Sequence, residues 1–219
     1  MLRSALALKP DDPTALNYLG TALAVDGRLP EAIESLERAV TLRPDYVAAR
    51  NALAIALYRS GDVRGAIAQF RRNAEINPND ISAYCNIGNV YFEQGDIEQA
   101  AAHYAQAVKL QPNFADAQFK LGVALQRAGR APQAIDHLRA ALKLNTGLLP
   151  AYVELAQALA ASGKADEAIA IAKQGIEVAR TSGNKQASSG IEQWLTRYRA
   201  EVDRGDKAAT SAKPDSTEK

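Results

Sequence analysis

Residues 80–112 read DISAYCNIGNVYFEQGDIEQAAAHYAQAVKLQP, and they show the pattern from which the fold can be predicted. Apolar residues recur three or four positions apart both before and after Gly95, which is the spacing of one face of an α-helix. Gly95 stands where the first helix would end, and glycine adopts the left-handed conformation of a helix C-cap without a Cβ penalty. The stretch therefore predicts a helix, a tight turn and a second helix.

The same pattern returns every 34 residues along the chain. Four sets of residues keep this step in phase: prolines 10, 44, 78 and 112; glycines 27, 61, 95, 129 and 163; alanines 15, 49, 83, 117 and 151; and alanines 32, 66, 100, 134 and 168. Each proline is expected to stop one helix, and the Asp or Asn after it is expected to cap the next. A period of this kind indicates helical hairpins that stack on one another.

The residues within each period resemble the tetratricopeptide repeat. Its signature reads in the third period as Tyr84, Ile87, Gly88, Tyr91, Ala100, Tyr104 and Pro112. The second period departs from it with Arg50 at a large position and Asn73 at a small one, and the fourth has Gln118 at the large position. The resemblance implies an all-α fold, an α-α superhelix or solenoid in which Ala and Gly let neighbouring helices approach closely.

The phase of the signature divides the chain into repeats and an incomplete start. Residues 1–12 match the second half of a truncated repeat, and residues 13–180 hold five complete repeats. Leu2, Leu6 and Leu8 would form an exposed apolar end, so we expect the chain to be a fragment of a longer protein. Self-association through this N-terminal end is the open alternative.

The end of the chain follows a different pattern. Residues 181–204 carry Ile191, Trp194 and Leu195 on one face and charged residues on the other, which predicts a C-terminal capping helix anchored by Trp194. Residues 205–219 lack apolar periodicity and are expected to form a disordered tail.

Composition and motifs argue against several classes of function. A net charge of +1 gives no global field for nucleic acid, and no apolar run is long enough for direct membrane insertion. The single cysteine, Cys85, excludes an internal disulfide and a multi-cysteine zinc site. No phosphate loop, nucleophile elbow or zinc-protease motif occurs, so we expect no catalytic residue, no cofactor, no metal and no enzyme activity. His103 and His137 are expected to be surface-exposed rather than to pair on a metal.

The resemblance implies a groove lined by the first helices that holds an extended peptide or a partner helix. Carried over residue by residue, the candidate peptide-binding residues are Asn17, Asn51, Tyr58, Asn86, Asn89, Phe92, Phe119 and Lys120. Amide side chains can bond a peptide backbone whatever its sequence, and aromatic side chains offer apolar contacts. We therefore expect a non-enzymatic scaffold whose ligand is a protein or a peptide.

Two other functions remain open from the sequence. The repeats could form the regulatory or substrate-positioning arm of a larger enzyme, for example a glycosyltransferase. They could also be a homo-oligomeric assembly module, in which the N-terminal apolar end docks on another copy.

Overall fold

A computed structural model of the chain describes the backbone of residues 10–211 and the side chains of residues 10–204. The described residues form eleven α-helices and no strand, which confirms the all-α repeat fold. The helices are α1 (Pro13–Val25), α2 (Leu29–Leu42), α3 (Val47–Arg59), α4 (Val63–Ile76), α5 (Ile81–Glu93), α6 (Ile97–Leu110), α7 (Ala115–Arg127), α8 (Ala131–Leu144), α9 (Leu149–Ala161), α10 (Ala165–Thr181) and α11 (Lys185–Ser211). They fall into two compact units, one ending at Pro112 and one beginning at Asn113. Residues 1–9, most of the expected half-repeat, lie outside the described residues.

The turn inside each hairpin depends on a glycine with positive φ. The five glycines of the 34-residue set have φ between 73° and 94°, as the sequence predicted for Gly95. At Gly95 the turn is closed by the N–H of Asp96, which donates to the carbonyl of Tyr91 at 2.9 Å. Gly183, with φ 72°, ends α10 in the same way although it lies outside the set. These hydrogen bonds satisfy the last carbonyls of each first helix and turn the chain back on itself.

Side-chain caps lie one residue later than the sequence analysis predicted. Asp80 caps α5 by accepting the N–H of Ser82 at 2.9 Å, and Asp12 caps α1 in the same manner. The helices α3 and α7 begin after Tyr46 and Phe114 with no side-chain cap. The expected caps were therefore wrong at Asp11, Asp45, Asn79 and Asn113. The proline and the residue after it form the turn between repeats, so the N-cap is the second residue after the proline.

Within the first unit, small residues bring helices into close contact. A Cβ built on Gly88 of α5 would lie 2.5 Å from Cε1 of Tyr104 on α6, so only glycine allows this approach. Ala100 on α6 has no exposed surface. The apolar faces then meet across successive repeats in clusters, of which one joins Ala54, Phe70, Ile87 and Val90 from α3, α4 and α5. Each hairpin is therefore stabilised by its neighbour as well as by its own packing.

Arg50 departs from the signature but keeps the signature's hydrogen bond. At the same position Tyr152 donates its hydroxyl to the carbonyl of Thr146 at 3.0 Å. Arg50 instead donates through Nη2 to the carbonyl of Pro44 at 2.6 Å. The side chain is only 8% exposed, its Nε has no hydrogen-bond partner, and burial lowers the pKa of the guanidinium. The second repeat accommodates the buried charge of Arg50 because the long side chain reaches the backbone carbonyl that a tyrosine would reach at this position.

The second unit ends in a helix that covers the last hairpin. Ile191 and Leu195 of α11 are buried in a cluster with residues of α9 and α10, and Trp194 packs against that cluster. The indole of Trp194 also stacks on Tyr198, with ring centroids 5.1 Å apart. The helix continues to Ser211, past its expected end at residue 204. Residues 212–219, the rest of the expected tail, lie outside the described residues.

Overpacking at Ala100 is expected to destabilise the first unit. Ala100→Leu should lower the free energy of unfolding by about 1–3 kcal/mol, because the side chain has no space between the helices. Ala102→Leu adds the same methyl groups on an exposed position of the same helix and should change the free energy by less than about 0.5 kcal/mol. Urea unfolding followed by circular dichroism compares the two. Equal stability of the two variants would contradict the packing argument.

Restoring the signature residue at position 50 is expected to stabilise the chain. Arg50→Tyr should raise the free energy of unfolding by about 1 kcal/mol, because a hydroxyl can reach the carbonyl of Pro44 without a buried charge. Arg50→Ala serves as the comparison and should lower it, since both hydrogen bonds of the guanidinium are lost. The same urea experiment measures both variants. A tyrosine variant less stable than the parent would show that Arg50 itself is the better partner.

Candidate functional site

In the unit that ends at Pro112, the first helices of two successive hairpins, α3 and α5, bring three of the expected binding residues together. Tyr58 on α3 and Asn86 and Asn89 on α5 line a depression of about 220 Å³, which we call the α3–α5 pocket. The helical repeat of α5 places its pocket-lining residues three or four positions apart, with one adjacent pair, and the cap at Asp80 fixes where that helix begins. The complete lining is Ile55, Tyr58, Phe70, Asn86, Asn89, Val90 and Glu93.

A hydrogen bond between Tyr58 and Glu93 closes one side of this pocket. The hydroxyl of Tyr58 donates to Oε2 of Glu93 at 2.5 Å and so links α3 to α5. This hydrogen bond, with some help from burial, raises the pKa of the Tyr58 hydroxyl. The carboxylate is exposed, and none of the Lys and Arg side chains that the structure describes forms an ion pair with it.

Glu93, the charged residue of the pocket, was not selected by the sequence analysis. It follows Asn86 by seven residues and Asn89 by four, so it lies on the same face of α5. This spacing from Asn86 and Asn89 is the feature of the sequence from which Glu93 could have been identified. Carboxylates on helix faces are usually solvated surface, which is why the residue type alone gave no reason to select it.

The two asparagines of the pocket differ in how they are held. Tyr104 is buried, and its hydroxyl donates to Oδ1 of Asn89 at 2.9 Å. This contact leaves Nδ2 of Asn89 as a donor for a ligand carbonyl. Asn86 is half-buried and forms no hydrogen bond to another side chain or backbone group in the described range, so its amide can both donate and accept. Ile55, which is 49% exposed, adds an apolar wall.

Two other expected residues of the first unit are used in packing rather than in the pocket. Asn17 is only 9% exposed, and its Nδ2 donates to the hydroxyl of Tyr46 at 3.3 Å. Oδ1 of Asn51 accepts a hydrogen bond from Nδ2 of the fully buried Asn73 at 2.7 Å. These bonds explain why an asparagine replaces the usual small residue at position 73. Phe92 lies half-buried on α5 and does not line the pocket.

The remaining two expected residues lie on α7, in the second unit. Phe119 is half-buried, and Nζ of Lys120 forms an ion pair with Asp116 one helical turn earlier, at 2.8 Å. On α9, burial raises the pKa of Glu154, and the charge of Arg127 acts in the opposite direction. Charged and aromatic side chains therefore share the first helices of this unit.

The other chemically reactive residues are packed into the repeats. Cys85 is buried. His103 is half-buried and stacks on Tyr91 with ring centroids 5.5 Å apart, and Nδ1 of His137 lies 2.7 Å from Oε1 of Gln118. The expectation of surface-exposed histidines was therefore wrong, because each ring contacts a side chain of its repeat's first helix. Burial lowers the pKa of both imidazoles.

Among the side chains of residues 10–204, no group of three or more His, Cys, Asp or Glu is placed to hold a metal ion. None of the described helices combines the length and the apolar character needed to cross a bilayer.

Solved structures of several repeat proteins resemble this chain. MamA from Desulfovibrio magneticus RS-1 is 19% identical with a TM-score of 0.68, over 78% of this chain and 97% of that one. YrrB, described as a TPR protein with an unusual peptide-binding site, is 15% identical with a TM-score of 0.65, over 88% and 97%. PilF from Pseudomonas aeruginosa is 20% identical with a TM-score of 0.61, over 90% and 97%. At these identities the likeness shows the fold.

Family models identify the repeats directly. A model described as TPR repeat matches residues 26–61, 56–95 and 88–129, and a second model described as tetratricopeptide repeat matches residues 125–187. A comparison with curated protein sequences gave no match. The matched residues contain most of the hairpins described above, including the turns at Gly61, Gly95 and Gly129. The chain therefore belongs to the tetratricopeptide repeat family.

Proposed function

We propose that this chain is a non-enzymatic scaffold that binds an extended peptide, and that the α3–α5 pocket is where the peptide is held in the first unit. The observation that carries the proposal is the set of groups in one depression: two amide side chains with free hydrogen-bonding capacity, an apolar wall and a carboxylate. Sites that bind polypeptides combine apolar contacts with a few placed polar groups in this way.

The amides support an extended peptide rather than a helix as the ligand. An extended backbone presents free N–H and C=O groups along its length, whereas a helix satisfies most of its own. Asn89 can donate through Nδ2, and Asn86 can donate and accept. Side chains of these types gain most from a ligand whose backbone groups are unpaired.

The fixed orientation of Asn89 supports a preformed site. Its amide is held by Tyr104, and Tyr104 is held in turn by the close contact with Gly88. A side chain that is already ordered loses little rotamer entropy when a ligand binds. Phe119 and Lys120 on α7 are proposed as peptide contacts of the second unit.

The similarity to YrrB supports peptide binding by analogy. That structure is described by its peptide-binding site, and its fold matches most of this chain. The proposal for this chain rests on its own residues, because fold likeness at 15% identity does not transfer a ligand.

Peptides selected from a random displayed library are expected to depend on the pocket amides. Asn86→Ala/Asn89→Ala should weaken the binding of such peptides at least about tenfold, because hydrogen bonds to the ligand backbone are lost. Titration calorimetry measures the affinity. Asn86→Ala alone removes no internal hydrogen bond and should show part of the loss in a fully stable protein.

The matched control is Gln99→Ala/Gln106→Ala, which removes two exposed amides from α6 of the same unit. This variant should bind the selected peptides as the parent does. If the pocket variants remain folded by circular dichroism and bind every selected peptide with parental affinity, the proposed function of the pocket is wrong.

A further inference from the structure

We propose that the α3–α5 pocket receives a basic side chain, lysine or arginine, of the bound peptide, with its cationic head on the carboxylate of Glu93. The inference rests on the proposed function and adds to it the chemical class of residue that the pocket selects. It is carried by the charge of the lining, the way in which Glu93 is held, and the apolar wall beside it.

The lining of the pocket has one charge, and that charge is negative. Glu93 is the only ionisable carboxylate among the lining residues, and no Lys, Arg or His lines the depression. Arg59, the neighbour of Tyr58 in α3, is directed elsewhere, because its Nη1 donates to the carbonyl of Ala24 at 2.6 Å. A cationic ligand group would therefore meet an attractive charge, and an acidic one would be repelled.

Glu93 is positioned by a neutral partner. The Tyr58 hydroxyl contacts Oε2 and leaves Oε1 without a hydrogen bond from the described residues. By contrast, the carboxylate of Asp116 in the second unit already has Lys120 as its ion-pair partner. A phenol orients the carboxylate without neutralising it, so the negative charge remains available for a ligand.

The neighbouring surface fits the stem of a basic side chain. Lysine and arginine bury their methylene groups along apolar surface while the charged head stays near polar groups. Ile55 is 49% exposed and offers such a surface beside the ring of Tyr58. An ammonium or guanidinium group close to this ring also gains a cation–π attraction. Asn86 and Asn89 can then hold the peptide backbone on either side of the basic residue.

Short capped peptides separate the contribution of the charge from that of the stem. The probes are N-acetyl-Gly-Lys-Gly-amide and the same peptide with norleucine, which keeps the four-carbon stem and lacks the ammonium group. Each is titrated into the full chain while the backbone amide resonances of Tyr58, Asn86, Asn89 and Glu93 are followed by NMR. We expect the lysine peptide to bind about tenfold more tightly than the norleucine peptide, with an advantage that falls as salt is raised.

Three variants test the role of Glu93. Glu93→Gln should bring the lysine peptide to the affinity of the norleucine peptide, because it removes the charge and keeps the shape. Glu37→Gln, at an exposed position of α2, should leave the tenfold difference unchanged. Tyr58→Phe keeps the ring and frees the carboxylate, and should reduce the difference without abolishing it.

The outcomes distinguish this inference from the proposed function. Equal affinity of the two peptides, or a lysine preference that survives Glu93→Gln, would overturn the inference and leave peptide binding in the pocket intact. Absence of any shift at the pocket resonances with either peptide would also overturn it. In that case the proposed function would still be decided by the library-selected peptides.

Discussion

The close approach of paired helices is the constraint on which the structure of this chain depends. Gly88 lies against the ring of Tyr104 so tightly that a Cβ would be 2.5 Å from it, and the buried alanines of the second helices allow similar contacts. Such contacts bury only part of each hairpin's apolar surface, so the rest must be covered by the next hairpin. Small residues at fixed intervals and stacking of repeats are therefore two consequences of one requirement.

This constraint also determines which residues are available for binding. The signature residues are buried in the contacts between helices, so ligand-facing side chains must come from positions between them. Asn86, Asn89 and Glu93 are such positions on α5. The two sets are nevertheless connected, because the signature residue Tyr104 donates the hydrogen bond that orients Asn89. Packing within a repeat therefore preorganises a polar group on its surface.

The sequence predicted the fold more completely than the pocket, and the difference has a physical cause. A turn such as that at Gly95 is determined by local residues. Its positive φ was expected because a glycine stands at the end of the first helix in each 34-residue period. The environment of Asn17 or Asn51 depends on Tyr46 and Asn73, which are distant in the sequence and specific to single repeats. Those two asparagines form internal hydrogen bonds and do not line the α3–α5 pocket. Tyr58, Asn86 and Asn89 were selected from the helical spacing of the first helices, and the structure places all three at one depression.

The partner of a charged side chain determines whether its charge is available to a ligand. A surface ion pair contributes little stability and cancels the field of both partners. Asp116 and Lys120 are such a pair, and a ligand approaching them meets almost no net charge. Glu93 is held instead by the hydroxyl of Tyr58, a contact that fixes the carboxylate and preserves its charge. The neutral partner of Glu93 is thus the reason for the proposal that the pocket favours a cation.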